Sequence, residues 1–161
     1  VTVVLTGSEA RLKPIPRKQW NILKELKVSM IIANSTDNLG IFKKANLIID
    51  SVIGYGMNGQ IRGTAANIIH EILNSQNLRI LSFAAPSGLD TTTGKFSDGF
   101  CIKAYATMTL ALPKEWLIQK NAKECVGKLY LADISVPPEL YKNIGLDNQS
   151  IFAKSSIIQI Y

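Results

Sequence analysis

Asn46-Leu47-Ile48-Ile49-Asp50-Ser51-Val52-Ile53, followed by Gly54-Tyr55-Gly56-Met57-Asn58-Gly59-Gln60-Ile61-Arg62-Gly63, is the stretch from which the fold is read. The first half is an apolar run that ends in an acid. Leu47, Ile48 and Ile49 place apolar side chains on both faces of an extended chain, as expected of a central parallel strand covered by helices on both sides. The second half is a loop with glycines at 54, 56, 59 and 63, which permit positive φ and the close approach of a ligand. Helical spacing then runs from Thr64 to Ser75, with Ala65, Ile68, Ile69, Ile72 and Leu73 on one stripe. A second strand, Leu78 to Phe83, breaks at Ala84-Ala85-Pro86-Ser87-Gly88-Leu89-Asp90. Strand, glycine loop, helix and strand make one βαβ unit.

In open α/β sheets, ligands bind outside the carboxyl ends of the strands. Asp50 closes the first of these strands and Ser87 sits in the turn that closes the second. The two are expected to converge on one ligand or ion. The helix start after the glycine loop offers free N–H groups and a positive dipole end, which suits a phosphate. The glycine loop alone is weaker evidence. A tight strand-to-helix connection without a ligand explains it as well, and Gly54-Tyr55-Gly56 lacks the third glycine of a dinucleotide fingerprint. Its pairing with Pro86-Ser87-Gly88-Leu89-Asp90 is the more specific signal.

The remaining chain repeats the alternation. Strands are expected at Val1–Leu5, Val28–Ala33, Ala104–Leu112 and Gly127–Asp133. Helices are expected at Arg17–Lys27 and Trp116–Lys123, a short helix or turn at Leu39–Lys44, and a short proline-led helix begins within Ile134–Tyr141. Asn34 to Asn38 reads as capping chemistry. The tail to Tyr161 is expected to pair at a sheet edge. Lys114 falls at a strand end, where a phosphate contact competes with the commoner solvated lysine. His70, the single histidine, lies off the apolar stripe of its helix, so neither a multi-histidine metal site nor a catalytic histidine is expected.

A chain of 161 residues, 47% hydrophobic and 19% charged, is the size and composition of one globular α/β domain. No apolar run is long enough for a membrane span, and no secretory signal opens the chain. Cys101 and Cys125 share no metal spacing and read as free thiols of a reducing cytoplasm. The net charge of +6 is spread out, with short clusters at Arg17-Lys18 and Lys43-Lys44, so nucleic acid is not the expected partner. The chain begins directly on a strand, and a first βα unit is expected to be missing before it.

From Asp50 onward the chain resembles the YjeF N-terminal domain family of NAD(P)H-hydrate epimerases. The matching stretches are Asp50-Ser-Val-Ile-Gly-Tyr-Gly56 with Ile61-Arg-Gly63, Pro86-Ser-Gly-Leu-Asp90, Ala106-Thr-Met-Thr-Leu-Ala-Leu-Pro-Lys114, and Val126-Gly-Lys-Leu-Tyr-Leu-Ala-Asp133 with Val136-Pro-Pro-Glu-Leu-Tyr141. Val1 to Ala45 fits the family's second and third strand units loosely. The resemblance implies a Rossmann-like three-layer αβα sandwich with a mainly parallel sheet. It implies an isomerase that interconverts the R and S forms of hydrated NADH or NADPH in nicotinamide nucleotide repair. It implies a potassium ion held by Asp50 and Ser87, and a substrate cradle over Gly54, Tyr55, Gly56, Met57, Asn58, Gly59 and Gln60. A cytoplasmic location, a homodimer, and fusion to or pairing with a hydrate dehydratase belong to the same expectation.

This chain departs from the family pattern twice. The family carries a catalytic Asp two residues before the proline of the Pro-Ser-Gly turn, and Ala84 stands there. Alanine moves no proton, and losing a catalytic carboxylate costs about 10²–10⁴ in rate. The family's Asn-Asn-Gly-Gly-Asp-Gly loop after its first strand is also absent from the sequence. Catalytic impairment is therefore expected. The alternative is a non-catalytic nucleotide- or partner-binding module on the same fold. Asp90 is too far along the chain to be expected as a substitute acid.

Overall fold

The computed structural model describes residues 1–34, 39–57, 59–75, 79–97, 99–146 and 151–161. The chain divides into two compact units, one of residues 1–44 and 61–76, the other of residues 45–60 and 77–161.

In the first unit, β1 (Thr2–Leu5) and β2 (Ser29–Ile32) pair in parallel, with Val3 opposite Met30. Between them in sequence lies α1 (Pro14–Glu25), which starts three residues before the expected Arg17. Pro14 and Pro16 belong to its first turn, where a missing N–H costs nothing, rather than to the preceding loop. Arg17 donates from its guanidinium to the carbonyls of Glu9, Ala10 and Leu12, tying the loop after β1 to the helix. Trp20 is buried, as its place on the stripe predicts. The helix α2 (Gly63–Asn74) buries Ile68, Ile69 and Ile72 and leaves His70 exposed. The turn expected at Leu39–Lys44 is a short 3-10 helix at Phe42–Lys44. Most of the capping run Asn34–Asn38 lies outside the described residues.

In the second unit, β3 (Leu47–Asp50), β4 (Arg79–Phe83), β5 (Ala106–Leu110), β6 (Lys128–Ala132) and β7 (Ile157–Gln159) form a five-stranded sheet in sequence order. The pairings from β3 to β6 are parallel, and the chain tail adds β7 antiparallel to β6, at the edge where it was expected. Asp50 stands opposite Ser82, and Ser82 opposite Thr107, which stands opposite Leu129. All four side chains are buried and share one face.

One strand differs from its reading. Ile48 and Asp50 are buried, but Leu47 is 49% and Ile49 66% exposed. β3 ends the order of this sheet, and its apolar run is covered on one face only. A continuous apolar run does not distinguish two covered faces from one. The helix expected at Trp116–Lys123 is also broken up. Two 3-10 turns, Glu115–Ile118 and Lys120–Ala122, meet at Gln119, whose extended backbone (φ −72°, ψ 149°) interrupts them. The one-turn helix α3 (Lys123–Val126) follows. The proline-led helix is α4 (Pro138–Asn143).

The core of this unit gathers Leu89, Leu117, Ala122, Val126 and Leu129 around the two cysteines, with Trp116 and Tyr161 against it. Gly127 makes the α3-to-β6 corner possible. It holds φ at +62°, and a Cβ there would stand 2.3 Å from the carbonyl oxygens of Ala104 and Tyr105.

Candidate functional site

Asp50 is the last residue of β3, and an alternating strand turns its side chain onto the buried face with Ile48. It is 1% exposed. A carboxylate there needs donors, because burying a charge without partners is strongly unfavourable. The next strand supplies them. Ser82 donates from Oγ to Asp50 Oδ2 at 2.8 Å, and the backbone N–H of Ser87 donates to the same oxygen at 2.9 Å. Ser87 Oγ lies 2.5 Å from Oδ1. Among the described residues no cation is paired with Asp50; the two ion pairs present are Lys24–Glu9 and Lys103–Glu124.

Ser87 is wholly buried and does more than meet Asp50. Its Oγ accepts from Ile53 N–H at 2.9 Å, and its hydroxyl also lies 3.1 Å from the Ile53 carbonyl oxygen. The turn after β4 is thereby fastened to the start of the glycine loop. The turn itself is held from behind. Ile102 N–H donates to the Ser87 carbonyl at 2.9 Å. Gly88, at φ +99°, lies so close to the Phe100–Cys101 backbone that a Cβ would come within 2.6 Å of the Phe100 carbonyl oxygen.

The glycine loop leaves the sheet beside this junction. Gly56 and Gly59 hold φ at +91° and +78°, which a side chain would oppose. Tyr55 is 65% exposed, Met57 is half-buried and Gln60 is exposed. Asn58 lies outside the described residues. Lys114, from beyond β5, places Nζ 5.4 Å from the centre of the Tyr55 ring. It also donates to the carbonyls of Leu110 and Leu112 at 3.0 and 2.8 Å. Burial pushes its pKa below the ordinary lysine value. The lysine is thus neither simply solvated nor far from the cradle; its contact with Tyr55 carries no signal in the spacing of the two residues.

Ala84 follows β4 directly. Its N–H donates to the Met108 carbonyl at 2.8 Å, and its φ is +70°. The left-handed region is costly for alanine and several-fold enriched in Asp and Asn. The backbone at 84 therefore has the shape that a short acid or amide tolerates best. One residue beyond Met108, the hydroxyl of Thr109 is fully buried with no hydrogen-bond partner among the described residues. Asp90 is engaged elsewhere. It accepts from Thr93 Oγ1 at 2.7 Å and from the Thr92 and Thr93 N–H groups at 2.8 and 3.1 Å. The Thr93 hydroxyl first, and then the backbone donors, hold its carboxyl below the ordinary value. It caps its own turn.

In the first unit an open cleft of about 610 Å³ lies among Thr6, Ser8, Arg11, Asn34, Arg62 and Thr64. It faces the carboxyl ends of β1 and β2 and the start of α2. Arg62, at the cap of α2, gives no side-chain hydrogen bond to the first turn. The helix start is legible in the sequence, whereas no local pattern marks Arg11 or Arg62 as a site residue. Among the described residues, no three His, Cys, Asp or Glu side chains gather at one place, and no helix is long and apolar enough to cross a membrane.

The family profile described as "YjeF-related protein N-terminus" matches residues 1–116. The chain belongs to that family. Curated relatives of this YjeF-related domain carry the name NAD(P)H-hydrate epimerase. One from Cenarchaeum symbiosum is 30% identical over 145 residues, covering 89% of this chain and 65% of its own length. Another, from Dehalogenimonas lykanthroporepellens, is 36% identical over 105 residues, covering 65% of this chain and 40% of its own. A third relative, from Moorella thermoacetica, is named a bifunctional NAD(P)H-hydrate repair enzyme; it is 35% identical over 60% of this chain and 18% of its own length. The YjeF-related domain thus spans less than two thirds of the length of each of these relatives. A crystal structure of yeast ynu0, YNL200c, superposes with a TM-score of 0.76 over 99% of this chain and 76% of that one, at 17% identity. The Rossmann-like α/β reading of the fold stands on that likeness.

Proposed function

We propose that this YjeF-related domain binds hydrated NADH or NADPH at the carboxyl ends of its strands, and that its own epimerase step is impaired at position 84. The observation that carries the reading is the contrast between neighbours. The buried Asp50–Ser82–Ser87 junction is complete, while the position beside it, whose backbone suits an acid, presents a methyl group. Binding geometry is kept where proton transfer is lost. A carboxyl group at 84 would be the acid–base group of the reaction; alanine has no proton to give and no lone pair to accept one. The bifunctional name borne by some relatives suits pairing with a dehydratase that consumes one epimer.

The donors at the junction fit a hard monovalent cation such as potassium. They are one carboxylate, two hydroxyls and the Ile53 carbonyl, all oxygen, carrying a single negative charge. The residues that would hold it are Asp50, Ser87 and Ile53. When bound it would supply positive charge beside the substrate, and this chain's residues orient that charge through Ser82 and the Ser87 amide. The cradle of Gly54 to Gln60 lets the backbone approach the nucleotide, Tyr55 offers a ring face, and Lys114 offers a cation beside it. Within the first unit taken by itself, the cleft at the start of α2 suits an anion.

A second reading, a module that binds nucleotide or a partner without turnover, is favoured by the same alanine. One assay separates them. Conversion of R to S hydrated NADH by the purified chain is followed by chromatography, with and without potassium, beside a nucleotide-binding titration. Impaired epimerase chemistry predicts turnover at least about 10²-fold below that of a relative bearing the acid, with binding retained. Binding with no turnover supports the module, and potassium-dependent turnover at the relative's rate refutes the impairment. Absence of both overturns the nucleotide reading.

A further inference from the structure

Cys101 and Cys125 face each other in the core of the second unit, with their sulfurs 2.7 Å apart. They are 6% and 3% exposed. Neither belongs to the Asp50 junction or to the glycine loop. Their backbones are fixed independently of the sulfurs. Cys101 precedes Ile102, whose N–H is tied to the Ser87 carbonyl, and it packs on Gly88. Cys125 lies in α3, and its carbonyl accepts from Ala104 N–H at 2.8 Å. A disulfide needs sulfurs at ~2.05 Å and backbones already at bridging distance. Here the sulfurs approach that separation with the two segments held in place by other bonds.

We propose that Cys101 and Cys125 are a modification site, an intramolecular disulfide formed when the folded chain meets a hydroperoxide. The oxidant class follows from the burial, since a molecule little larger than water reaches a core thiol that bulkier disulfides do not. Cys101 donates its S–H to Cys125, a contact that stabilises the thiolate of Cys125, the form that attacks. Its sulfur attacks one peroxide oxygen. An S–O bond forms, the O–O bond breaks, and the departing oxygen leaves as water or alcohol with the thiol proton. The Cys101 sulfur then attacks the sulfenic sulfur. The S–S bond forms, the S–O bond breaks, and water leaves with the second proton. Two thiols lose two electrons, and the peroxide gains them.

The bridge spans 24 residues of sequence. It would link the segment behind the Ser87 turn to α3, and closing a loop of that length restricts the unfolded chain. The test treats the full chain with hydrogen peroxide, then unfolds it in the presence of an alkylating agent and reads the intact mass. The expected product has lost two hydrogen atoms, carries no alkyl group and melts about 5 °C or more higher. Dithiothreitol reverses both changes, and Cys101→Ser or Cys125→Ser abolishes both. The mass reading on the unsubstituted chain stands even if those variants fold poorly. Two alkyl groups after peroxide, a disulfide between two chains, or a sulfinic acid on either cysteine would overturn the proposal.

Discussion

Gly54 and Ala84 meet across the carboxyl ends of β3 and β4: a Cβ placed on Gly54 would stand 3.2 Å from the Ala84 methyl. The first glycine of the loop is thus matched to whatever occupies position 84. The left-handed backbone at 84 disfavours alanine by roughly 1–2 kcal/mol. Ala84→Asn and Ala84→Gly are therefore expected to stabilise the chain by about 0.5–1 kcal/mol in urea unfolding. A loss of stability in both would show that the strain is not there.

Ala84→Asp introduces at this position the acid that the resemblance to the family implies. It is expected to fold at least as well as the unsubstituted chain. It is expected to raise epimerisation above that of the unsubstituted chain assayed under the same conditions. An Ala84→Asp chain that folds and binds nucleotide but gains no turnover would refute the impairment at position 84.

Removing the carboxylate of Asp50 leaves the Ser82 hydroxyl and the Ser87 N–H buried without their acceptor, and leaves the Ser87 hydroxyl only the Ile53 carbonyl. Asp50→Ala is expected to cost about 2–4 kcal/mol. Asp50→Asn keeps the shape but turns an amide N–H₂ toward donors, and is expected to lose nearly as much. Chemical denaturation measures both; a change below about 0.5 kcal/mol in either would mean the junction does not hold the strand ends.

Two threonines of β5 make an internal pair of opposite sign. Thr107 Oγ1 donates to the Val126 carbonyl at 2.8 Å, whereas the Thr109 hydroxyl has no partner among the described residues. Thr107→Val is expected to destabilise by about 1 kcal/mol, and Thr109→Val to be neutral or stabilising by a similar amount. Equal losses from both would place an unseen partner at Thr109.

Asp90 supplies the pH dependence. Its pKa is lowered in the folded chain, so its contribution is present above the unfolded value and is lost as pH falls through the folded one. The turn Thr91–Gly94 is therefore expected to hold at neutral pH and to release only below 3.8, the ordinary value for Asp. The amide resonances of Thr92 and Thr93, followed through an acid titration, read this directly; a midpoint at or above 3.8 would contradict it.

Much of this was legible in the chain, and for physical reasons. Asp50 and Ser87 both fall where parallel strands end, a position readable from the sequence, and the structure brings their side chains into contact. The stripe of α2 predicted its buried isoleucines and the exposed His70. The apolar run Leu47-Ile48-Ile49 misled because alternation is visible only when one face is polar; an exposed Ile49 spells like a buried one. Gln119 broke an expected helix through its backbone alone, which composition does not encode. The lysine beside Tyr55, the arginines of the cleft and the facing cysteines come from parts of the chain far apart in sequence, and no local pattern joins them.

The Ser87 hydroxyl has a single hydrogen and two oxygens within reach, Asp50 Oδ1 and the Ile53 carbonyl. Turning that O–H bond redistributes polarity between the strand end and the loop while every heavy atom stays where it is. The polarity of the junction is therefore set by the angle of one bond rather than by the stiffness of the fold.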